Sequence, residues 1–289
     1  MGWGRGGKGK GAGQQAAPPE EAEGDDLEDG EAEPEKLPDG VDLETFVVHE
    51  SDGQPVHIDC YTPSDAARAN GASVLFTHGS KFRAGEKLRR LPHYLAPLTQ
   101  RGYSIAVVEH RGVAAGFPGL LHDGKAALRF LRGNATAMGL DPDRISVMGY
   151  SSGGWMSTML AVTAASDPSE GLNGRLGHPA FRDLPVHVAC CIDFYGATKL
   201  QNYPKACPEV HVHAAMPPIF VVHGTEDPCV PCDRSRALVA RLKEVGAKHD
   251  FIELPEAGHG GAPFHSDEIV EKILNWLDEH SGPIVLKKK

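Results

Sequence analysis

The sequence predicts an α/β fold with a mostly parallel central sheet of about eight strands flanked by helices, and three observations carry that prediction. From residue 43 onward, short β-branched runs alternate with stretches of helical periodicity. The first two of these runs follow one another with no helical stretch between them, which gives the sheet an antiparallel start. The third observation is the charge distribution. The chain has 39 acids and 29 bases over 289 residues, but residues 1–40 hold 11 of the acids and 4 of the bases, leaving 28 acids and 25 bases in residues 41–289. A near-neutral body of that size can bury one extensive core, and it lacks the basic excess with which a protein tracks nucleic-acid phosphates. No run approaches the roughly 18 consecutive apolar residues of a membrane-spanning helix. No nucleic-acid partner and no membrane span are therefore expected, which leaves a small-molecule partner open; nothing in the sequence speaks to oligomeric state.

Strands are expected at 45–49, 56–61, 73–78, 104–109, 145–148, 186–194, 218–223 and 250–254, runs rich in Val, Ile and aromatic residues. Helical spacing appears at Leu88, Leu91, Leu95 and Leu98, then at Ala127, Leu128 and Leu131, then at Leu238, Leu242 and Val245, where Gly246 supplies a C-terminal stop. Ile269, Ile273, Trp276 and Leu277 define a last helix, with Ser266 placed to cap it and Asp267 and Glu268 in a first turn that favours negative charge. No repeat of 20–50 residues is visible, which argues against a solenoid.

Residues 1–40 read as a disordered low-complexity tail and 41–289 as one folded domain. The tail holds ten of the 34 glycines and few large apolar side chains beyond Trp3, Leu27 and Leu37, too little to offset the entropy of ordering. It starts basic (Arg5, Lys8, Lys10) and turns acidic (Glu20, Glu21, Glu23, Asp25, Asp26) with no apolar stretch between, unlike a secretory signal, so a cytoplasmic location is expected. Three short patterns in it lack the context that their chemistry requires. Gly2, Gly4 and Gly7 have dinucleotide-loop spacing without a strand before or a helix after; Gly11 stands where a phosphate loop needs Ser or Thr; and Gly6 stands where N-myristoylation wants the same.

Chemistry enters at Gly149-Tyr150-Ser151-Ser152-Gly153, a G-x-S-x-G pattern. It follows the apolar run Ile145-Ser146-Val147-Met148 and precedes a helical one, the setting of a sharp strand-to-helix turn that exposes a nucleophilic serine. Small residues two before and two after the serine are required for the chain to turn so tightly, and both positions are Gly. A serine hydroxyl is a weak nucleophile near neutral pH and needs a histidine base, itself oriented by an acid. Asp227 lies just past the 218–223 run, in a region where ligands collect in such sheets, and His259 lies just past the 250–254 run. Glu226 and His265 are the respective rivals; His265 opens the last helix and lacks the flanking glycines of His259. Serine, then acid, then histidine, each beyond a strand, is the chain order of the α/β-hydrolases.

With those motifs in place, residues 56–280 resemble the α/β-hydrolase superfamily, and within it the small esterases and acetylesterases with little or no lid and an H-G-G-G type loop. The resemblance extends to Leu75-Phe76-Thr77-His78-Gly79-Ser80-Lys81-Phe82, to Arg83-Ala84-Gly85-Glu86-Lys87, to Glu109-His110-Arg111, to Gly139-Leu140-Asp141-Pro142-Asp143-Arg144, to Asp193-Phe194-Tyr195-Gly196 and to Ser235-Arg236-Ala237-Leu238. It implies short-acyl carboxylic ester hydrolysis through an acyl-serine intermediate, without cofactor: Ser151 as nucleophile, His259 as base, Asp227 as its orienting acid. Backbone N–H groups of Ser152, Gly79 and Ser80 would form the oxyanion hole. Ser80 and Lys81 depart from the family pattern, standing where it has its second and third loop glycines. Segments available as a lid are short, chiefly 165–185 and 199–217. Two other readings stay open: a serine peptidase of the prolyl-oligopeptidase type, suggested by Gly153-Gly154-Trp155-Met156, and a non-catalytic small-ligand-binding protein on the same fold.

Six cysteines complete the inventory. Cys229-Val230-Pro231-Cys232 has C-x-x-C spacing, and Cys207 with His211 and His213 has ligand-like residue types, but no second C-x-x-C exists and no metal site is expected. Reduced thiols follow from the expected compartment. Asn134-Ala135-Thr136 matches a glycosylation acceptor that would be idle there.

Overall fold

The computed structural model describes residues 37–51, 53–83, 91–165, 171–196 and 204–281. Its eight strands form one sheet in the order β1-β2-β4-β3-β5-β6-β7-β8. They are β1 (Val41–Ser51), β2 (Gln54–Pro63), β3 (Ser73–Thr77), β4 (Ser104–Val108), β5 (Ile145–Tyr150), β6 (Cys191–Phe194), β7 (Ile219–Gly224) and β8 (His249–Leu254). Pairing is antiparallel between β1 and β2 and between β2 and β4, and parallel from β4 through β8, which is the antiparallel start and parallel body expected above.

Every residue of β3, β4, β5, β6 and β7 is buried, the mark of strands covered on both faces. The two-residue period of the strand then sorts side chains into two cores. Leu75, Ala106, Val147 and Val221 face the layer containing α2 (Gly116–Asn134), α3 (Ser152–Val162) and α4 (Asp233–Val245), where Leu128, Trp155, Met159 and Leu238 pack. Phe76, Ile105, Met148 and Phe220 face α1 (Ala96–Gln100) and α5 (Asp267–His280), where Leu98, Ile273 and Leu277 pack.

Several elements differ from expectation for local reasons. The 186–194 run forms a strand only from Cys191; upstream, the carbonyls of Leu184, Pro185 and His187 accept from the guanidinium groups of Arg129 and Arg132 on α2. Of the periodic leucines 88–98, Leu88 lies outside the described residues, and Leu95 closes a single 3₁₀ turn, His93–Leu95. Pro92 precedes that turn and Pro97 stands in the first turn of the five-residue α1, so each occupies a place where its missing N–H costs no helical bond. Gly246 caps α4 at a left-handed φ of 71° as expected. Ser266 occupies the α5 cap position, but its hydroxyl donates to Pro263 O and makes no capping bond.

Leu37 packs against the α1/α5 core and Gly40 O accepts from Ser64 N, so residues 37–40, grouped with the tail above, touch the folded body. The remainder of that expected tail, 1–36, lies outside the described residues, as do 84–90 in the loop after β3. Of the expected lid segments, 171–185 is tied to α2 through the Arg129 bonds to Asn173 O and Leu184 O, and Ala206 O accepts from Trp155 Nε1 on α3; 166–170 and 197–203 lie outside the described residues.

Arg111, in the Glu109-His110-Arg111 segment that follows β4, belongs to a buried network. Arg111 Nη2 lies 2.8 Å from Asp123 Oδ1 on α2, and His49 Nε2 lies 2.9 Å from the same oxygen. Burial pushes the Asp123 carboxyl up, but these partners outweigh it and hold it below its usual value. The network pins β1 and the loop after β4 to the start of α2.

Candidate active site

The loops following β3, β5, β7 and β8 meet at the carboxyl edge of the parallel sheet. Ser151, between β5 and α3, sits at φ 54° and ψ −120°, a conformation a non-glycine residue adopts only when its surroundings force it. Its N–H donates to Phe194 O and its carbonyl accepts from Trp155 N, which fixes the turn from both sides. The flanking glycines are obligatory: a Cβ on Gly149 would lie 2.3 Å from Gly153 O, and one on Gly153 only 1.9 Å from Thr77 O.

Ser151 Oγ lies 2.9 Å from His259 Nε2, and His259 Nδ1 lies 2.7 Å from Asp227 Oδ2. Because the carboxylate only accepts, Nδ1 carries the proton and Nε2 offers its lone pair to the serine hydroxyl. The Asp227 side chain is fully buried, whereas that of His259 is 22% exposed. Asp227 Oδ1 accepts from the N–H groups of Cys229 and Val230, both at 2.8 Å. Burial pushes this carboxyl up, but bonds from His223, His259 and Val230 N–H outweigh it and leave it well below the usual carboxylate range, ionised throughout the neutral region. The acid and histidine loops are stitched together by Glu226 N donating to Ala257 O and Glu256 N donating to Thr225 Oγ1. Gly224 permits that approach, since a Cβ there would meet Ala257 O at 2.2 Å.

The loop after β3 lies against the serine. A Cβ on Gly79 would stand 3.1 Å from Ser151 Cβ, so Gly79 is the close backbone neighbour of the candidate nucleophile. Ser80 differs from expectation: its N–H donates to Ser152 Oγ at 2.9 Å and so is directed at a side chain. Lys81 and Phe82 sit at φ 49° and 61°, left-handed values that glycine adopts without strain and these residues do not. Two contacts hold them: Arg83 N donates to Ser80 O, and the Phe82 ring packs edge-on against Trp155 at 5.2 Å.

Three supporting residues were given no role by the sequence reading, although Asp193 and Tyr195 lie in one of the stretches that carry the resemblance. His223, wholly buried near the end of β7, places Nε2 2.8 Å from Val230 O and 3.2 Å from Asp227 Oδ2, while Nδ1 faces Ser235 Oγ at 2.7 Å. A carbonyl can only accept, so Nε2 bears the proton and the ring clamps the loop that cradles the acid. Its signal was a polar side chain in an otherwise apolar strand run. Tyr195, at φ 41°, sets its ring 4.7 Å from that of His259, tilted by 59°, and packs edge-on against Phe264. Asp193 is completely buried under the serine turn, accepting from Thr158 Oγ1 on α3 and from Gly196 N–H; a Cβ on Gly154 would collide with its Oδ1 at 2.3 Å.

Burial pushes the Asp193 carboxyl up to about 6 against those bonds and His223. An acid whose folded pKa exceeds its unfolded value near 3.9 binds protons preferentially in the folded state, so its contribution to stability is full below that value and is lost as pH rises through the folded pKa. Asp193→Asn removes this dependence. In urea unfolding, the free-energy difference between variant and wild type should therefore move in the variant's favour by about 2 kcal/mol from pH 4 to pH 7.

The rivals do not join the site. Glu226 is exposed beside Asp227, and the His265 ring stacks on Tyr94 at 4.3 Å, where burial and then His93 push it down to about 4. His211 Nε2 is bonded to Lys205 O. Cys229 and Cys232 are free thiols. Among the described residues, one group of three brings potential metal-ligating atoms together: Asp227, Cys229 and His259.

Comparison with known proteins places this geometry in context. The BD-FAE family model matches residues 58–207, and the model of the prolyl oligopeptidase family matches residues 191–283. The chain is similar to the probable carboxylic ester hydrolase LipM of Mycobacterium tuberculosis, 26% identical over 269 residues, covering 80% of this chain and 61% of LipM. It is 29% identical over 192 residues to Esterase LipQ of the same organism, covering 56% of this chain and 44% of LipQ. It thus spans less than two thirds of either relative. In fold it matches a truncated carbohydrate esterase from gut microbiota, with a TM-score of 0.75 at 23% identity, covering 85% of this chain and 99% of that one. The fold is that of the α/β-hydrolases, the expected class.

Proposed function

This chain belongs to the BD-FAE family, and on that premise we propose that it is a serine hydrolase cleaving short-acyl carboxylic esters through an acyl-serine intermediate. The observation that carries the proposal is the unbroken line from Ser151 Oγ to His259 Nε2 (2.9 Å) and from His259 Nδ1 to Asp227 Oδ2 (2.7 Å). Ser151 Oγ attacks the acyl carbonyl while its proton passes to His259 Nε2. Asp227 holds the imidazole in the accepting tautomer and stabilises the imidazolium that forms. That imidazolium then protonates the departing alkoxide, and water repeats the sequence in reverse to free the acid. The N–H groups of Ser152, at the start of α3, and of Gly79 are suited to stabilise the oxyanion, with Ser80 bracing the loop through Ser152 Oγ. No cofactor is required by these steps.

Short acyl groups suit the access to the serine. Gly79 is exposed, Ser151 is half-buried, and 171–185 and Ala206 are engaged elsewhere by α2 and α3. The experiment is labelling with a fluorophosphonate probe and peptide mass spectrometry, alongside p-nitrophenyl acetate, butyrate and decanoate turnover. An adduct on Ser151 with acetate or butyrate preferred over decanoate is expected. A folded protein that is neither labelled nor active would leave a small-ligand-binding role.

The peptidase reading keeps one observation in its favour, the prolyl oligopeptidase model matched over 191–283, which spans both Asp227 and His259. Turnover of an aminoacyl p-nitroanilide above that of p-nitrophenyl acetate would favour it.

A further inference from the structure

We propose that Asp227, Cys229 and His259 form a binding site for a soft divalent cation of the zinc class, and that a cation bound there switches the active site off. The binding half stands on donor geometry alone; the inhibitory half rests on the hydrolase reading above.

One ligand atom from each of the three residues lies within 4.8 Å of the other two. Carboxylate oxygen, thiolate sulfur and imidazole nitrogen are the donor types that zinc takes, and sulfur selects it over magnesium or calcium. Tetrahedral zinc with bonds of about 2.0–2.3 Å holds its ligand atoms roughly 3.3–3.7 Å apart, so no pair need close by more than about 1.5 Å, and if Nδ1 is the ligand the 2.7 Å contact between Asp227 Oδ2 and His259 Nδ1 must open. Asp227 is fixed, its Oδ1 by two backbone N–H groups and its Oδ2 by His223. Movement therefore falls to Cys229 and His259, both partly exposed, and their exposure also leaves an entry path and a fourth position for water. Carboxylate and thiolate together neutralise the dication, leaving the imidazole neutral.

The Cys229 thiol, held protonated by burial and by Asp227 against the opposing pull of Lys81, releases one proton as sulfur bonds to the cation. The imidazole keeps its single proton. If the cation takes Nδ1, that proton resides on Nε2; if it takes Nε2, the lone pair facing Ser151 is consumed. In either case, the lone pair that would accept the Ser151 proton is gone, and hydrolysis stops without damage to the fold. The Cys229–Cys232 pair thus gains a role for its first member: it adds sulfur to two groups that alone would hold a cation weakly.

The test uses the full chain with Zn²⁺ and Co²⁺. Zinc affinity is read by competition with a chromophoric chelator, thiolate ligation by the sulfur-to-cobalt charge-transfer band, and inhibition as the ratio of each protein's rate with zinc to its own rate without it. Expected are one equivalent bound, about one proton released, and a loss of affinity of about 10-fold or more in both Cys229→Ser and His259→Ala. The cobalt band should vanish in Cys229→Ser and persist in Cys232→Ser. Loss of the band in Cys232→Ser would identify the two thiols as the donors and overturn the proposal, as would unchanged zinc affinity in Cys229→Ser. A protein that binds zinc as described but hydrolyses nothing would refute the hydrolase reading alone. One that hydrolyses esters but binds no zinc would refute this site alone.

Discussion

Ser151→Ala is expected to lower kcat on p-nitrophenyl acetate by about 10⁴- to 10⁶-fold, the scale on which removing the nucleophile of a coupled triad acts. The Ser151 side chain is bonded to His259, while the turn itself is held by backbone bonds to Phe194 and Trp155 that alanine retains. Alanine at φ 54° is no more crowded than serine, so the circular dichroism spectrum and urea midpoint should stay close to those of wild type. Full turnover by a correctly folded Ser151→Ala protein would sink the assignment of the nucleophile. Complete loss with loss of fold would instead be resolved by Ser151→Cys, which keeps the shape and the hydrogen bond to His259 while removing the hydroxyl that a fluorophosphonate labels.

Asp227→Asn should cost about 10⁴-fold in kcat, for a reason visible in the bonds around the carboxyl. Two backbone N–H groups point at the Oδ1 position, so the amide oxygen must settle there. The NH₂ then occupies the Oδ2 position and faces His259 Nδ1, which must accept from it. The His259 proton moves to Nε2, where a lone pair is needed. The same NH₂ also faces the Nε2–H of His223, donor against donor in a fully buried space, so a fall in stability should accompany the fall in rate. The sign of the pH dependence is definite: the folded pKa of Asp227 lies below its unfolded value, so its stabilising contribution is present above pH 4 and fades as pH falls through the folded value. Thermal melts from pH 7 to pH 2 should show wild type converging on Asp227→Asn at the acid end. Wild-type kcat in Asp227→Asn, with Glu226→Gln inactive instead, would transfer the orienting role to Glu226.

How much of this was legible depended on whether the information was local. The serine turn declared itself because its signature lies within five residues, Gly149 to Gly153, and the strand and helix that create the strain adjoin it, although the Thr77 O that a Cβ on Gly153 would strike is brought there from β3 by the fold. The strands of the parallel body were visible because burial on both faces demands continuous apolar runs, as in β3, β4 and β7. The chain order of Ser151, Asp227 and His259 followed from their positions just past such runs.

What only the tertiary structure decided was every relation between loops. His223 looked like a strand residue, and its hold on Asp227 and Val230 exists only because the acid loop doubles back over the end of β7. Ser80 was expected to present its N–H to substrate, yet Ser152, 72 residues away in sequence, brings a hydroxyl within 2.9 Å of it. Cys229 carried a C-x-x-C signal pointing to Cys232, whereas folding set it beside Asp227 and His259. Residues 186–190 had the composition of a strand, yet the carbonyls of Leu184, Pro185 and His187 go to the buried guanidinium groups of Arg129 and Arg132, while Ala189 and Cys190 bond to β5. Composition and spacing report what each segment prefers by itself, and hence the fold class and the chemistry of each loop. Which donor meets which acceptor depends on contacts between segments tens of residues apart, and those form only when the sheet draws the ends of its strands together.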